Sequence, residues 1–349
     1  MNESIIVSES REQRTYYFDF LRVFGTFAVM FLHIAAQNWD TKDVHSFEWS
    51  VMNFYNAIAR WSVPAFVMIS GALFLSRDIP IRKIYSKYIF RIFTAFVFWS
   101  VMYTVFIYDD GGDRVKYISH LICGHYHMWF LFMISGLYMI VPFVKKIAES
   151  KFLTKYFLEI AFLFAFLPCN IINTLTLFSK DYGGIAWQLF YYFYFNFVAG
   201  YTGYFLLGYF VNNTENSRKT EYMIYTAGII GFAATVLMTL YASRLNGTPT
   251  EIFYENISVN ILCETVAVFV FFRKNFNFPA KNIRTLSQYS FGAYLVHAGV
   301  IYLFEKFGIN SLTFSPIISI PVIAVIVFIV SFAISAVLNQ MPVLRKYIV

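Results

Sequence analysis

Charge is scarce in this chain. Only 13% of its 349 residues are Asp, Glu, Lys or Arg, about half of the ~25% usual in a soluble domain. So few ionised side chains cannot clothe a water-soluble globule, which excludes that class. Cysteine is scarce too, and Cys123, Cys169 and Cys263 are the whole set. Cys169 and Cys263 lie in or beside apolar segments and no metal-ligand spacing appears, so neither a disulfide framework nor a metal site is expected. Long polar loops and repeats of fixed period are missing as well, which leaves no room for a second domain. A removable leader is not expected, because the first 15 residues are polar and the apolar run after them is too long for one. The chain ends soon after its last apolar run, so no appended soluble domain is expected either.

What fills the chain is apolar. It is 58% hydrophobic and 21% aromatic, in runs that approach or exceed the ~20 residues of a membrane span. The reading is all-α, a polytopic transmembrane bundle of about ten helices forming one domain over 1–349. The helices are expected near 16–38, 51–75, 84–108, 127–144, 153–172, 187–211, 221–243, 257–273, 289–305 and 317–338. Alternate loops then differ sharply in charge. One set, from Arg11 and Arg14 through Arg77, Lys145, Lys146, Arg218, Lys219, Arg273 and Lys274 to Arg345 and Lys346, holds 18 basic residues against six in the other. That asymmetry predicts cytoplasmic N- and C-termini. It also gives the net charge of +7 a topological cause, so no nucleic-acid partner is implied. Acidic Asp40, Asp43, Glu48, Asp109, Asp110 and Asp113 fall in the outer loops, and Gly111-Gly112 in the longest of them.

The first span carries three ionisable residues. Arg22 and His33 are eleven residues apart, within roughly 20° of three full turns, so they share a stripe with a rise of about 16 Å between them. Asp19, three residues before Arg22, can pair with it. Ionisable groups at membrane depth are costly and face a protein interior or a wet cavity. His suits proton transfer near neutral pH.

Further polar positions recur along the chain. Arg60 falls inside the second span, which goes on through Pro64 to Ser70-Gly71, a pair that allows close helix packing. Lys83, Lys87 and Arg91 repeat every four residues and, with Arg82, form a basic stripe at the inner surface. The stripe serves equally as an anchor on lipid phosphates or as a clamp for donor phosphates. His125 and His127 flank a Tyr before Trp129, two His being too few to indicate a metal. Glu264 sits in the eighth span, where it needs an Arg or a proton. Ser290, Tyr294 and His297 share a face of the ninth.

Together these residues resemble the acyltransferase-3 family of integral-membrane acyltransferases. The family's Arg, ten residues, then His corresponds to Arg22 and His33. Its Phe-rich stretch ending in Ser-Gly corresponds to Phe66 through Gly71, its arginine-bearing segment to Arg82 through Arg91, its His-(Leu or Met)-Trp-Phe-Leu to His127 through Leu131, and its late Ser-(Tyr or Phe)-Gly-x-Tyr-Leu-x-His to Ser290 through His297. One departure stands out: many members place a Glu after Trp-Phe-Leu, and here Ile134-Ser135-Gly136 follows.

The resemblance implies O-acyl transfer, usually of acetyl, from cytoplasmic acyl-CoA to a hydroxyl of an envelope glycan or lipid-linked saccharide. The setting it implies is the bacterial cytoplasmic membrane. No permanently bound cofactor is expected; acetyl-CoA is a donor substrate. On this reading His33 is the general base, Arg22 oriented by Asp19 holds the donor or the oxyanion, and Lys87, Arg91, Arg82 and Lys83 hold donor phosphates. Trp129, Tyr294, His297, Ser290, Arg60 and Glu264 are expected along the substrate tunnel. The rival reading is a transporter or flippase of a glycan or small polar solute, for which intramembrane charges serve equally well.

Overall fold

The computed structural model describes residues 15–108 and 113–349. Arg11, Arg14, Asp109, Asp110 and Gly111-Gly112 lie outside that range. Among the described residues every regular element is helical. The helices are α1 Tyr17–Ala36, α2 Phe47–Leu75, α3 Ile81–Phe106, α4 Arg114–Cys123, α5 Trp129–Met139, α6 Val141–Ala148 and α7 Lys151–Phe178. There follow α8 Lys180–Phe193, α9 Phe195–Asn212, α10 Arg218–Asn246, α11 Val259–Asn275, α12 Lys281–Lys306, α13 Pro316–Gln340 and the short α14 Pro342–Tyr347. Because a helix bonds its backbone groups within the segment, such a bundle suits lipid.

Six helices, α1, α2, α3, α7, α10 and α13, are long and apolar enough to cross a membrane; α4–α6 adds a seventh if that pair, bent by 60°, is one span. The other expected spans fall on α8–α9, α11 and α12. These are helical, but α11 has only 17 residues and the others are interrupted by Tyr, Gly and polar side chains. The same residues that lower their hydropathy give α9 and α12 their interior contacts.

The first helix is the hub. About two-thirds of its apolar window (67%) is covered by neighbours, against 22% for α10. It packs against α2, α11, α12 and α13, and Leu21, Met30 and Ile34 are fully buried along it. The tightest crossing joins α2 to α9. A Cβ on Gly71 would overlap the Phe205 carbonyl, and one on Gly208 the Met68 carbonyl. The small residues let the two backbones meet, as the Ser70-Gly71 pair anticipates.

Hydrogen bonds tie the basic loops together at one end. Lys145 contacts Asp78 and donates to the Arg77 carbonyl at 2.7 Å, Arg273 donates to the Thr214 carbonyl at 2.6 Å, and the Tyr16 N–H donates to Asn277 at 2.9 Å. The other end is tied by Asn38 to Ser311 at 3.2 Å and Arg244 to the Val44 carbonyl at 3.3 Å.

Candidate active site

One cavity of about 750 Å³ runs through the bundle beside α1 and is lined by Asp19, Arg22, Thr26 and His33 of that helix. The stripe predicted from the spacing is therefore one wall of a passage. Arg22 and Asp19 mark the basic-loop end, and His33 lies about 16 Å along the helix axis.

The Arg22 end is held together by polar contacts. Arg22 Nη1 lies 3.5 Å from Asp19 Oδ1, and Ser287 of α12 donates to the same oxygen at 2.8 Å. Arg91 joins from α3, with Nη2 donating to the Val349 carbonyl at 2.5 Å and its guanidinium 5.4 Å from the Phe291 ring centroid. Arg345, on α14, lines the same cavity. Nothing in the sequence placed it there. The final turn folds back on α3, where Thr94 donates to the Tyr347 carbonyl at 2.6 Å and Trp99 to the Ile348 carbonyl at 3.3 Å.

The rest of the basic stripe goes elsewhere. Arg82, Lys83 and Lys87 are exposed and do not line the cavity. The cause is local: Ile84–Ile89 form a π turn, and the Phe90 N–H bonds back to the Tyr85 carbonyl, five residues earlier. That wider turn breaks the four-residue register and leaves Arg91 alone on the inner face.

The far end is built of imidazoles and one arginine. The His33 ring stacks on His297 at 5.2 Å and meets Tyr126 edge-on at 5.0 Å. His297 does not line the cavity; it backs His33. Its Nδ1 contacts the Tyr294 carbonyl and its Nε2 is buried without a hydrogen-bond partner among the described residues. His127 does line the cavity, 5.0 Å from the His297 ring, and its Nδ1 is 3.1 Å from that of His125. Gly124, at φ +74°, lets the chain turn inward between α4 and this pair; a Cβ there would meet the Phe96 ring at 2.8 Å. In the sequence His125 and His127 are only a weak metal signal, and the fold is what brings them to His33 and His297. Among the described residues no group of three side chains suited to hold a metal converges.

Arg60 owes its position to Pro64. Pro64 has no N–H to give the Arg60 carbonyl, so α2 breaks into turns over 58–61. The Arg60 guanidinium lies over the Tyr254 ring, 3.9 Å from its centroid. Glu251, Glu255 and Glu264 act on it electrostatically. Burial, with Glu251 beside it, raises the Glu255 carboxyl above the usual carboxylate range, against the pull of Arg60. Glu264 is buried, does not line the cavity and leaves Oε2 without a hydrogen-bond partner among the described residues. Trp129, Ser290 and Tyr294 line the passage between the ends, and the Tyr294 hydroxyl donates to the His127 carbonyl.

A passage with arginines at one end and imidazoles with Arg60 at the other holds the groups that an acid–base group transfer uses. The family model described as an acyltransferase domain matches residues 15–339, nearly the whole chain. The chain belongs to the acyltransferase-3 family. It is thus a membrane acyltransferase in its general type. No curated protein matches it and no solved structure matches it.

Proposed function

We propose that this acyltransferase moves an acyl group, acetyl first among them, from acyl-CoA to a hydroxyl of an envelope glycan or glycolipid. The observation that carries the reading is the single cavity shared by Arg22, Arg91 and Arg345 at one end and His33 at the other. Arginines suit a donor's phosphates, and the length of the cavity suits a thin acyl-bearing arm. The basic end faces the cytoplasm, where acyl-CoA is made, with both termini on that side of a ten-pass bundle. The acceptor comes from the opposite side.

His33, whose ring makes no hydrogen bond among the described residues, takes the proton of the acceptor hydroxyl. The oxygen attacks the thioester carbonyl, a C–O bond forms and the C–S bond breaks. The sulfur leaves as thiolate and receives the proton from His33, so the ester and the free thiol are the only products. Trp129, which lines the cavity beside Tyr201 with ring centroids 6.0 Å apart, offers an aromatic face for a sugar ring. Asn256 adds polar contacts there.

The test is direct. Purified protein given radiolabelled acetyl-CoA and a panel of glycan acceptors is expected to release CoA and label the acceptor. Acceptor translocation in sealed vesicles without CoA release would overturn the reading in favour of a transporter.

A further inference from the structure

We propose that Arg60 is a catalytic residue, the donor that stabilises the oxyanion formed when the acceptor oxygen attacks the acyl carbonyl. The inference rests on the acyl-transfer reading above. It starts from a distance. The oxyanion is born one bond from the carbon under attack, and the attacking oxygen has just lost its proton to His33. Its stabilising donor therefore stands a few ångströms from His33. Arg22 is about 16 Å down the same helix and cannot serve both the donor phosphates and this oxygen.

Few groups at the level of His33 can serve it. The Ser62 hydroxyl donates to the Ala59 carbonyl at 2.7 Å. Asn256 donates to the Tyr201 hydroxyl at 3.1 Å, and Tyr294 donates to the His127 carbonyl. That leaves His127, Trp129, the second amide N–H of Asn256 and Arg60, and only Arg60 carries a permanent charge. It lines the cavity with His33 and its charge acts on the His33 ring. Its Nε is buried with no hydrogen-bond partner, and no carboxylate forms an ion pair with it among the described residues.

A cation at membrane depth with no ion pair is costly in the resting protein, even with the Tyr254 ring beside it and carboxylates at longer range. It is worth most when charge appears beside it, in the transition state, within a site already organised to receive that charge. The Tyr254 ring under the guanidinium holds it in place without neutralising it. Tyr254 in turn is fixed by Asn53, whose carbonyl oxygens its hydroxyl contacts. In the proposed step the carbonyl π pair moves onto oxygen next to Arg60, then returns as the C–S bond breaks.

The test uses the full chain in detergent or nanodiscs. Arg60→Ala and Arg60→Lys are compared with the unmodified protein for thermal unfolding, kcat, and KM for acetyl-CoA and for acceptor. For folded Arg60→Ala, kcat is expected to fall by about 10²–10³-fold with KM values within about threefold. Added guanidinium is expected to restore part of the rate. Arg60→Lys, which keeps the charge but loses the fork, is expected to lose about tenfold and decides the matter if the Ala variant does not fold. A folded variant, Ala or Lys, with unchanged kcat would overturn the proposal. So would a loss confined to KM for acceptors bearing carboxylate or phosphate, which would make Arg60 an acceptor-binding group. If the unmodified protein transfers no acyl group, the acyl-transfer reading fails, and the proposal fails with it.

Discussion

The two ends of the cavity differ in how completely their polar groups are paired. At the Arg22 end, Asp19 has both Arg22 and the Ser287 hydroxyl, and Arg91 is fixed to the Val349 carbonyl through Nη2, only its Nε being buried without a hydrogen-bond partner among the described residues. At the His33 end, the His33 ring makes no hydrogen bond among the described residues, and Arg60 Nε and the Nε2 atoms of His127 and His297 are buried without partners. Pairing lowers the cost of burying charge but also commits it. The paired end is therefore built to hold something of fixed charge, and the unpaired end to meet charge that comes and goes. On the proposed function, binding and chemistry are separated along one helix by three turns.

Substitutions at each end should separate in kinetics. The largest effect is expected for His33→Ala. It removes the only imidazole of α1 and should lower kcat by about 10³-fold, with the donor KM nearly unchanged, in a steady-state assay of CoA release. Next comes Arg22→Gln, whose donor KM is expected to rise by about 10–100-fold with a smaller change in kcat. Arg345→Gln should act in the same direction by about tenfold, and the defect should vanish when acyl-pantetheine, which lacks the nucleotide phosphates, replaces acyl-CoA. The smallest effect is expected for Lys87→Gln, which lies off the cavity and should stay within about twofold in both parameters. A Lys87→Gln defect as large as that of Arg22→Gln would mean that the donor lies along the exposed stripe instead of inside the bundle.

Much of the cavity was legible from spacing alone. Eleven residues on a helix are enough to align Arg22 with His33, and four are enough to bring Ser290 and Tyr294 of α12 to the cavity, whereas His297 stands behind His33 instead of lining it. Gly71 was legible as a packing residue because only a missing Cβ permits the approach of Phe205. The misses have physical causes of two kinds. Helical periodicity assumes an uninterrupted ladder, and the π turn over Ile84–Ile89 and the break before Pro64 both interrupt it. The first removed Lys87 from the company of Arg91, and the second set the direction of Arg60. The other misses are tertiary. Arg345 reaches the cavity because the final turn folds onto α3, and His127 reaches His297 because Gly124 turns the chain. No local pattern encodes either contact.

The claim that one passage carries the donor from the basic end to His33 can be tested by affinity labelling. Bromoacetyl-CoA places an alkylating carbon where the acyl group would sit. Added to the basic-loop face of sealed vesicles, it is expected to alkylate His33, as read by peptide mass spectrometry, and acetyl-CoA should protect. Labelling that misses His33, or that reaches it only from the opposite face, would contradict the account.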